Sequence, residues 1–270
     1  MGEPVAGVAE QRLVEGFERA LDTGALHMVY QPKIELETGK LTRLEALVRW
    51  DEPELGPVEP SRFVPLAEKY GLIAPLTEWG LRTTLGQWLT WREAGLDTDI
   101  AFNISALSLQ HLDFPDLVER ICRELAVPTD RLVLELTEGA TQPLIKLMDT
   151  LTRFRIKGIG LAIDDFGTGF SSLMQLRQLP FTEVKIDRLF VRDLPTAHDS
   201  CVIVKAIIDL AHGLGLVATA EGVETPEQLR FLRSIRCDVA QGYFISRPID
   251  GDAVIAWQDD FARRWPELAA

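Results

Sequence analysis

Short apolar runs along this chain repeatedly close on a side chain that can hold a metal ion. Ile100-Ala101-Phe102 ends in Asn103, and Leu132-Val133-Leu134 ends in Glu135. Leu161-Ala162-Ile163 ends in Asp164-Asp165, Val184 is followed by Lys185, and Val217-Ala218-Thr219-Ala220 by Glu221. Apolar runs of this length between polar residues predict buried parallel strands. Helical spacing fills the gaps, over residues 114–125, 143–157, 172–179, 200–214 and 226–235. Strand endings that alternate with helices and converge on polar groups predict a barrel with its chemistry at the C-terminal strand ends.

The chain opens differently. Residues 8–21 have the spacing of an outer helix. Residues 27–34 and 41–50 alternate around Glu37-Thr38-Gly39-Lys40, which predicts an antiparallel hairpin. Helices are predicted over 60–69 and 76–94, a last strand over 238–245 and a closing helix over 251–265. Eight candidate strands without edge-like ends favour closure, so the expected class is α/β: a TIM-like (β/α)8 barrel with an antiparallel first strand.

At 270 residues with 46% hydrophobic composition and no linker, low-complexity stretch or internal repeat, a single barrel domain is expected. Its bounds are drawn at 10–262, with residues 1–9 and 263–270 as tails. The net charge of −13, from 28 basic and 41 acidic residues, argues against duplex nucleic acid and anionic membrane as partners. A small anionic ligand stays open, because bound cations reverse a local field. Cys122, Cys201 and Cys237 have no CxxC spacing and read as free thiols of a reducing compartment. The apolar window 201–220 contains Lys205, Asp209 and His212 and reads as helix plus strand, not as a membrane span. A cytoplasmic domain is expected.

Several residues are candidates for chemistry. In the strand 41–50, Glu45, Leu47 and Arg49 share one face and Ala46, Val48 and Trp50 the other. The first face joins a carboxylate to a phosphate-type guanidinium, or forms a structural Glu45–Arg49 pair. Glu135 and Glu138 lie across a strand end, as site groups or as solvated loop charges. Adjacent Asp164 and Asp165 repel one another, which a cation relieves; the alternative is an Asp cap for the next helix. Gly167 and Gly169 allow a tight loop beside a ligand. The Asp165-Phe166-Gly167 triplet also occurs in kinases, but the chain has no glycine-rich nucleotide loop and no His-Arg-Asp segment. Lys185 is a neutralising partner or a group that orients water. Glu224 is a site group or a helix N-terminal acid. His27, His111, His198 and His212 form no metal-type spacing. A site of carboxylates and amides suits Mg²⁺ or Mn²⁺ better than Zn²⁺.

Taken in order, Tyr30-Gln31-Pro32-Lys33, Glu45-Ala46-Leu47-Val48-Arg49-Trp50, Phe102-Asn103-Ile104-Ser105, Glu135-Leu136-Thr137-Glu138, Asp164 to Ser172, Lys185-Ile186-Asp187, Glu221-Gly222-Val223-Glu224-Thr225 and Gln241-Gly242-Tyr243 resemble the EAL family of cyclic di-GMP phosphodiesterases. The resemblance covers roughly residues 10–262. It implies hydrolysis of cyclic di-GMP to linear pGpG with two Mg²⁺ or Mn²⁺ ions per site. Glu45, Asn103, Glu135, Asp164, Asp165 and Glu221 would be the ligands. Lys185 would orient or deprotonate the attacking water, helped by Glu221 and Gln241. Glu138 resembles the glutamate that anchors the loop 165–172. Gln31, Leu47, Arg49, Asp187 and Tyr243 would contact the nucleotide. Phe166, Gly167, Thr168, Gly169, Phe170, Ser171 and Glu224 would couple that loop to a homodimer. Phe170 departs from the family, where many members carry Tyr. The resemblance also implies regulatory modules in a longer parent protein, with membrane anchoring outside this segment left open. Two cations ~4 Å apart would stabilise the attacking and leaving oxygens of an in-line displacement. A receptor that binds without cleaving is the second reading, and a barrel glycosidase with paired carboxylates the third.

Overall fold

In the computed structural model, which describes residues 4–137, 144–167 and 172–268, the hairpin closes the sheet into a barrel. Strand β1 (Leu26–Glu35) pairs antiparallel with β2 (Leu41–Glu52), as alternation on both sides of the 37–40 turn predicts. Gly39 sits in that turn at φ +73°, where a Cβ would lie 2.2 Å from the Trp265 ring. Only glycine fits both the left-handed backbone and the aromatic contact there.

A short β3 (Gly56–Val58) extends the hairpin and leads into helices α2 (Pro60–Lys69) and α3 (Ile73–Glu93). The barrel then runs β2–β4–β5–β6–β7–β8–β9, all parallel: β4 is Asp99–Asn103, β5 Leu132–Thr137, β6 Gly160–Phe166, β7 Glu183–Ile186, β8 Val217–Ala220 and β9 Val239–Ala240. It closes where β9 meets β1, again antiparallel. Thus β1 is the strand that runs against the rest, as expected. Glu45, however, belongs to the parallel set: its strand, β2, runs with β4, although the sequence pattern placed it on the antiparallel opening strand. A further β10 (Ile249–Asp250) flanks β1.

The crossovers are α4 (Phe114–Glu124), α5 (Leu144–Ile156), α6 (Ser172–Gln178), α7 (Arg188–Val191) with α8 (His198–Gly213), and α9 (Pro226–Ser234). Residues 201–220 are indeed helix plus strand. The last strand is far shorter than the predicted 238–245, because the chain leaves the sheet at Gln241. Helix α1 (Pro4–Thr23) and helix α10 (Val254–Leu268) both continue across the domain bounds drawn at residues 10 and 262.

The main core lies between barrel and helices, where Leu44, Ile100, Leu134, Leu161, Val184 and Ala218 are fully buried. A second core under α1 stacks Phe17 on Phe63 at 5.3 Å and sets Trp50 edge-on to both. The inward faces of β4, β5 and β6 contribute only Ala101, Val133 and Ala162 as a small apolar cluster. Small residues there leave the barrel centre to long charged side chains.

Candidate active site

Those charged side chains form a column. At the lower end Arg43 is paired with Glu183, which also accepts from Thr219 Oγ1 at 2.6 Å. Above them Lys33, on β1, hydrogen-bonds Glu135 Oε1, and Lys185, on β7, hydrogen-bonds Glu135 Oε2. All three side chains are essentially sealed from solvent. Lys185 Nζ also lies 2.7 Å from Glu221 Oε1, 3.0 Å from Asp164 Oδ2 and 3.7 Å from Glu45 Oε2. The sequence left Lys185 as a neutralising partner or a group that orients water. The structure puts it at the centre.

Strand endings bring these groups together because each sits on an inward position of its strand. The exception is the Asp164–Asp165 pair, since successive strand residues normally face opposite ways. The β6–β7 register shifts between Ile163 and Phe166, and Asp165 adopts φ +53°. This bulge turns both carboxylates to the same mouth, where one oxygen each from Asp164, Asp165 and Glu221 falls within 4.8 Å of the others. The helix-cap alternative is not needed to explain them. A non-glycine residue in the left-handed region is uncommon and marks a position fixed by its surroundings.

Amides complete the rim. Asn103 Nδ2 donates to Glu45 Oε1 at 2.7 Å, and Gln241 Nε2 donates to Glu45 Oε2 and Gln31 Oε1, each at 2.9 Å. Gln31 Nε2 in turn donates to the Ser246 carbonyl at 3.0 Å. Gly242 permits this corner: a Cβ there would lie 2.1 Å from the Val223 carbonyl oxygen. Gln241 Oε1 is buried and has no partner among the described residues.

The electrostatics follow from this crowding. Burial alone would raise the Glu45 carboxyl, but the Lys185 and Lys33 ammoniums and the two amide donors bring it down to about 2. Burial pushes Glu221 up to about 8; Lys185 opposes this, while Asp164 and Glu45 add to it. Burial, Asp164 and Asp187 push Asp165 up to about 6. Burial works against the Lys185 ammonium, yet the surrounding carboxylates hold its pKa well above the ordinary lysine value. Without a cation, Lys185 is thus held as an ammonium that donates to these carboxylates.

A cavity of about 240 Å³ opens above the column, lined among others by Gln31, Glu45, Asp164, Lys185, Glu221 and Gln241. Glu224 and Tyr243 stand at its exposed mouth, and Tyr243 lies under the Arg247 guanidinium at 4.2 Å. Glu224 precedes the cap of α9, Thr225, so it is not a first-turn acid of that helix. Leu47 and Arg49 line a neighbouring groove of about 540 Å³ that also reaches Asn103. Asp187 accepts from Leu189 N at 2.7 Å and caps α7, a local role that the sequence did not suggest. Phe166 is buried, and Gly167 stands at φ +99° beside Phe190. Glu138, Thr168, Gly169, Phe170 and Ser171 lie outside the described residues.

Sequence reasoning missed two residues. Lys33 was noted only as part of a motif, since a lysine in a strand carries no periodic signal of burial. Arg188 lines the cavity from the start of α7, a helix too short to show helical spacing. His27 and His212 pair with Asp51 and Asp238 away from the site.

A mixed barrel whose strand ends converge on a cage of carboxylates, amides and one central lysine defines a β/α barrel with an acidic site whose Asp164, Asp165 and Glu221 could hold a metal ion. The chain belongs to the EAL domain family, whose profile matches residues 14–248. It is 38% identical over 259 residues to the cyclic di-GMP phosphodiesterase PA2567 of Pseudomonas aeruginosa, covering 94% of this chain and 44% of that protein. It is also 38% identical to the bifunctional diguanylate cyclase/cyclic di-GMP phosphodiesterase MucR of the same organism, covering 93% of this chain and 37% of that one. The solved PaMucR phosphodiesterase in complex with c-di-GMP superposes with a TM-score of 0.85 at 38% identity, covering 90% of this chain and 99% of that one. The chain thus spans less than half the length of these two curated relatives, which are larger proteins. Among the described residues no helix is long and apolar enough to cross a membrane.

Proposed function

We propose that this chain hydrolyses one phosphodiester bond of cyclic di-GMP to give linear 5′-pGpG, with Mg²⁺ or Mn²⁺ as cofactor. The observation that carries the reading is the convergence of Asp164, Asp165 and Glu221 around Lys185 at the barrel mouth, in a chain of the EAL family. The donor set fits hard cations: carboxylate and amide oxygens only, with the buried Gln241 Oε1 still unpartnered among the described residues. Glu45, Asn103, Glu135, Asp164, Asp165 and Glu221 would hold the ions. Bound there, they would activate water and stabilise charge on the phosphate, two ions serving both the attacking and the leaving oxygen.

The chain's own residues supply the rest. Lys185, held as an ammonium, donates to the attacking water or to a phosphoryl oxygen and fixes its line of approach. Glu221, 2.7 Å from Lys185 Nζ, would complete the cation shell or position the attacking water. Gln241 bridges Glu45 to Gln31 and so couples the cation cage to the nucleotide side of the cavity. Arg188, Arg49 and Arg247 offer guanidiniums for the phosphates and bases of the ligand.

A homodimer fits the surface. Helices α6, α7 and α8 expose Leu173, Met174, Leu189 and Val202. Pairing through this face would link assembly to the position of Asp165. The surrounding modules of a longer parent would act through the same face.

Incubating the purified chain with cyclic di-GMP and Mg²⁺, Mn²⁺ or Ca²⁺ and resolving the products by chromatography tests the reading. Metal-dependent accumulation of pGpG is expected. Tight binding with no product would make the chain a receptor.

A further inference from the structure

We propose that Lys33 is a positioning residue of the site, the resident partner that holds Glu135 by one oxygen so that Lys185 can release the other. The proposal rests on the reading of Glu135 as a cation ligand. Glu135 is sealed in the barrel, and each of its two oxygens faces one ammonium: Lys33 on Oε1 and Lys185 on Oε2. The two lysines differ in what else they touch. Lys185 reaches Glu221 at 2.7 Å and Asp164 at 3.0 Å. Lys33 has Glu45 at 3.6 Å as its other ion-pair neighbour among the described residues.

That asymmetry assigns the roles. Lys185 has alternative carboxylates near the cavity and can turn toward them, or toward a water, without losing its charge partners. Were it the sole counter-ion of Glu135, any such move would strand an unpaired carboxylate in the dry interior, which is strongly unfavourable. Lys33 removes that obstacle. It enters from β1, which runs against the other strands of the barrel, into a centre whose small inward residues include Ala101 and Ala162. Below it the Arg43–Glu183 pair closes the column, so the Lys33 ammonium has no nearby solvent to withdraw into. Without Lys33, Glu135 would keep Lys185 for itself. Glu135 would be withdrawn from a cation, and Lys185 from the reacting water.

The test compares Lys33→Met, Glu135→Gln and the double variant in the full chain. Three quantities are read: Mn²⁺ affinity from the free-ion electron paramagnetic resonance signal without substrate, kcat and KM for cyclic di-GMP, and the thermal midpoint. Lys33→Met is expected to weaken Mn²⁺ binding about tenfold and to lower kcat with KM little changed, as for other residues that support a metal ligand. In the Glu135→Gln background the same change should alter Mn²⁺ affinity by less than about twofold, because its target is gone. A lower midpoint with Mn²⁺ affinity and kcat unchanged would reduce Lys33 to a structural residue and overturn the proposal. So would a full tenfold effect in the Glu135→Gln background. If Glu135→Gln alone leaves Mn²⁺ affinity intact while Lys33→Met weakens it, the ligand reading of Glu135 is what fails, and the proposal with it. Should Lys33→Met not fold, Lys33→Gln, which keeps a neutral donor in reach of Glu135, is read by the same criteria.

Discussion

Lys185 Nζ stands 2.7 Å from Glu221 Oε1, a buried ammonium lodged among the carboxylates proposed to hold the metal. It acts as an internal counter-charge while no cation is bound. Replacing it with methionine leaves Asp164 and Glu221 without this counter-charge, and Glu45 and Glu135 with Lys33 alone. Lys185→Met should therefore lower the thermal midpoint of the metal-free protein and enlarge the rise produced by Mn²⁺. It should also cut pGpG formation by about a hundredfold or more, as loss of a group aimed at transition-state charge does. Differential scanning calorimetry with and without Mn²⁺ reads the first effect, and a midpoint rise no larger than that of the unsubstituted protein would contradict it.

Asp165 is held at φ +53°, a conformation that asparagine tolerates well. Asp165→Asn should keep the bulge and the fold while losing hydrolysis about a hundredfold, and Glu45→Ala should do the same. Unchanged circular dichroism with lost turnover is the expected pair of results. Near-normal turnover in either variant would refute the ligand assignment.

Gly242→Ala would place a Cβ 2.1 Å from the Val223 carbonyl oxygen, a clash with backbone that cannot rotate away. Overpacking of this kind costs about 1–3 kcal/mol. The adjacent Gln241 would shift from Glu45 and Gln31, so kcat should fall as well. Urea unfolding and steady-state kinetics check the two effects together.

Acid should weaken the metal-free protein through Glu183 at the base of the column. Burial raises its pKa, but Arg43 and Lys33 outweigh that and bring it down to about 2 from an ordinary 4.5. A lowered folded-state pKa means that the contribution is complete above about pH 4.5 and is lost as pH falls toward 2. The size of the shift corresponds to about 3 kcal/mol. Urea midpoints at pH 5 and pH 3 should differ in that direction, and Glu183→Gln should flatten the difference.

The apolar side chains exposed on α6, α7 and α8 predict that activity depends on protein concentration. Leu173→Glu combined with Val202→Glu should give a monomer by sedimentation with reduced turnover. A fully active dilute monomer would separate assembly from catalysis.

Much of this arrangement is legible in the chain. Buried parallel strands announce themselves because both faces are apolar until the mouth is reached, so Asn103, Glu135, Asp164 and Glu221 stand out at the point where the apolar run stops. The hairpin was equally plain, from alternation and Gly39. What the pattern could not show was depth. Lys33 and Lys185 look alike on paper, yet only contacts across the barrel, from β1 and β7 to β5, reveal that both bind one carboxylate. The bulge at Asp165 is likewise invisible, since nothing in Asp-Asp marks a left-handed residue. Gln241 was placed within a strand because its neighbours are apolar, while in space Gly242 and Val223 pull the chain out of the sheet there. Asp187 shows the converse limit, a motif residue whose contacts in this structure include capping a one-turn helix.

Cleavage of cyclic di-GMP at the cage around Lys185 should depend on the metal. The measurement that tests it most directly is pGpG formation by the purified chain, with Mg²⁺ or Mn²⁺ and after exhaustive chelation, beside the Asp165→Asn variant. Product is expected with either ion, none after chelation, and at most a trace from the variant. Product that persists after chelation, or a variant as active as the unsubstituted chain, would contradict it.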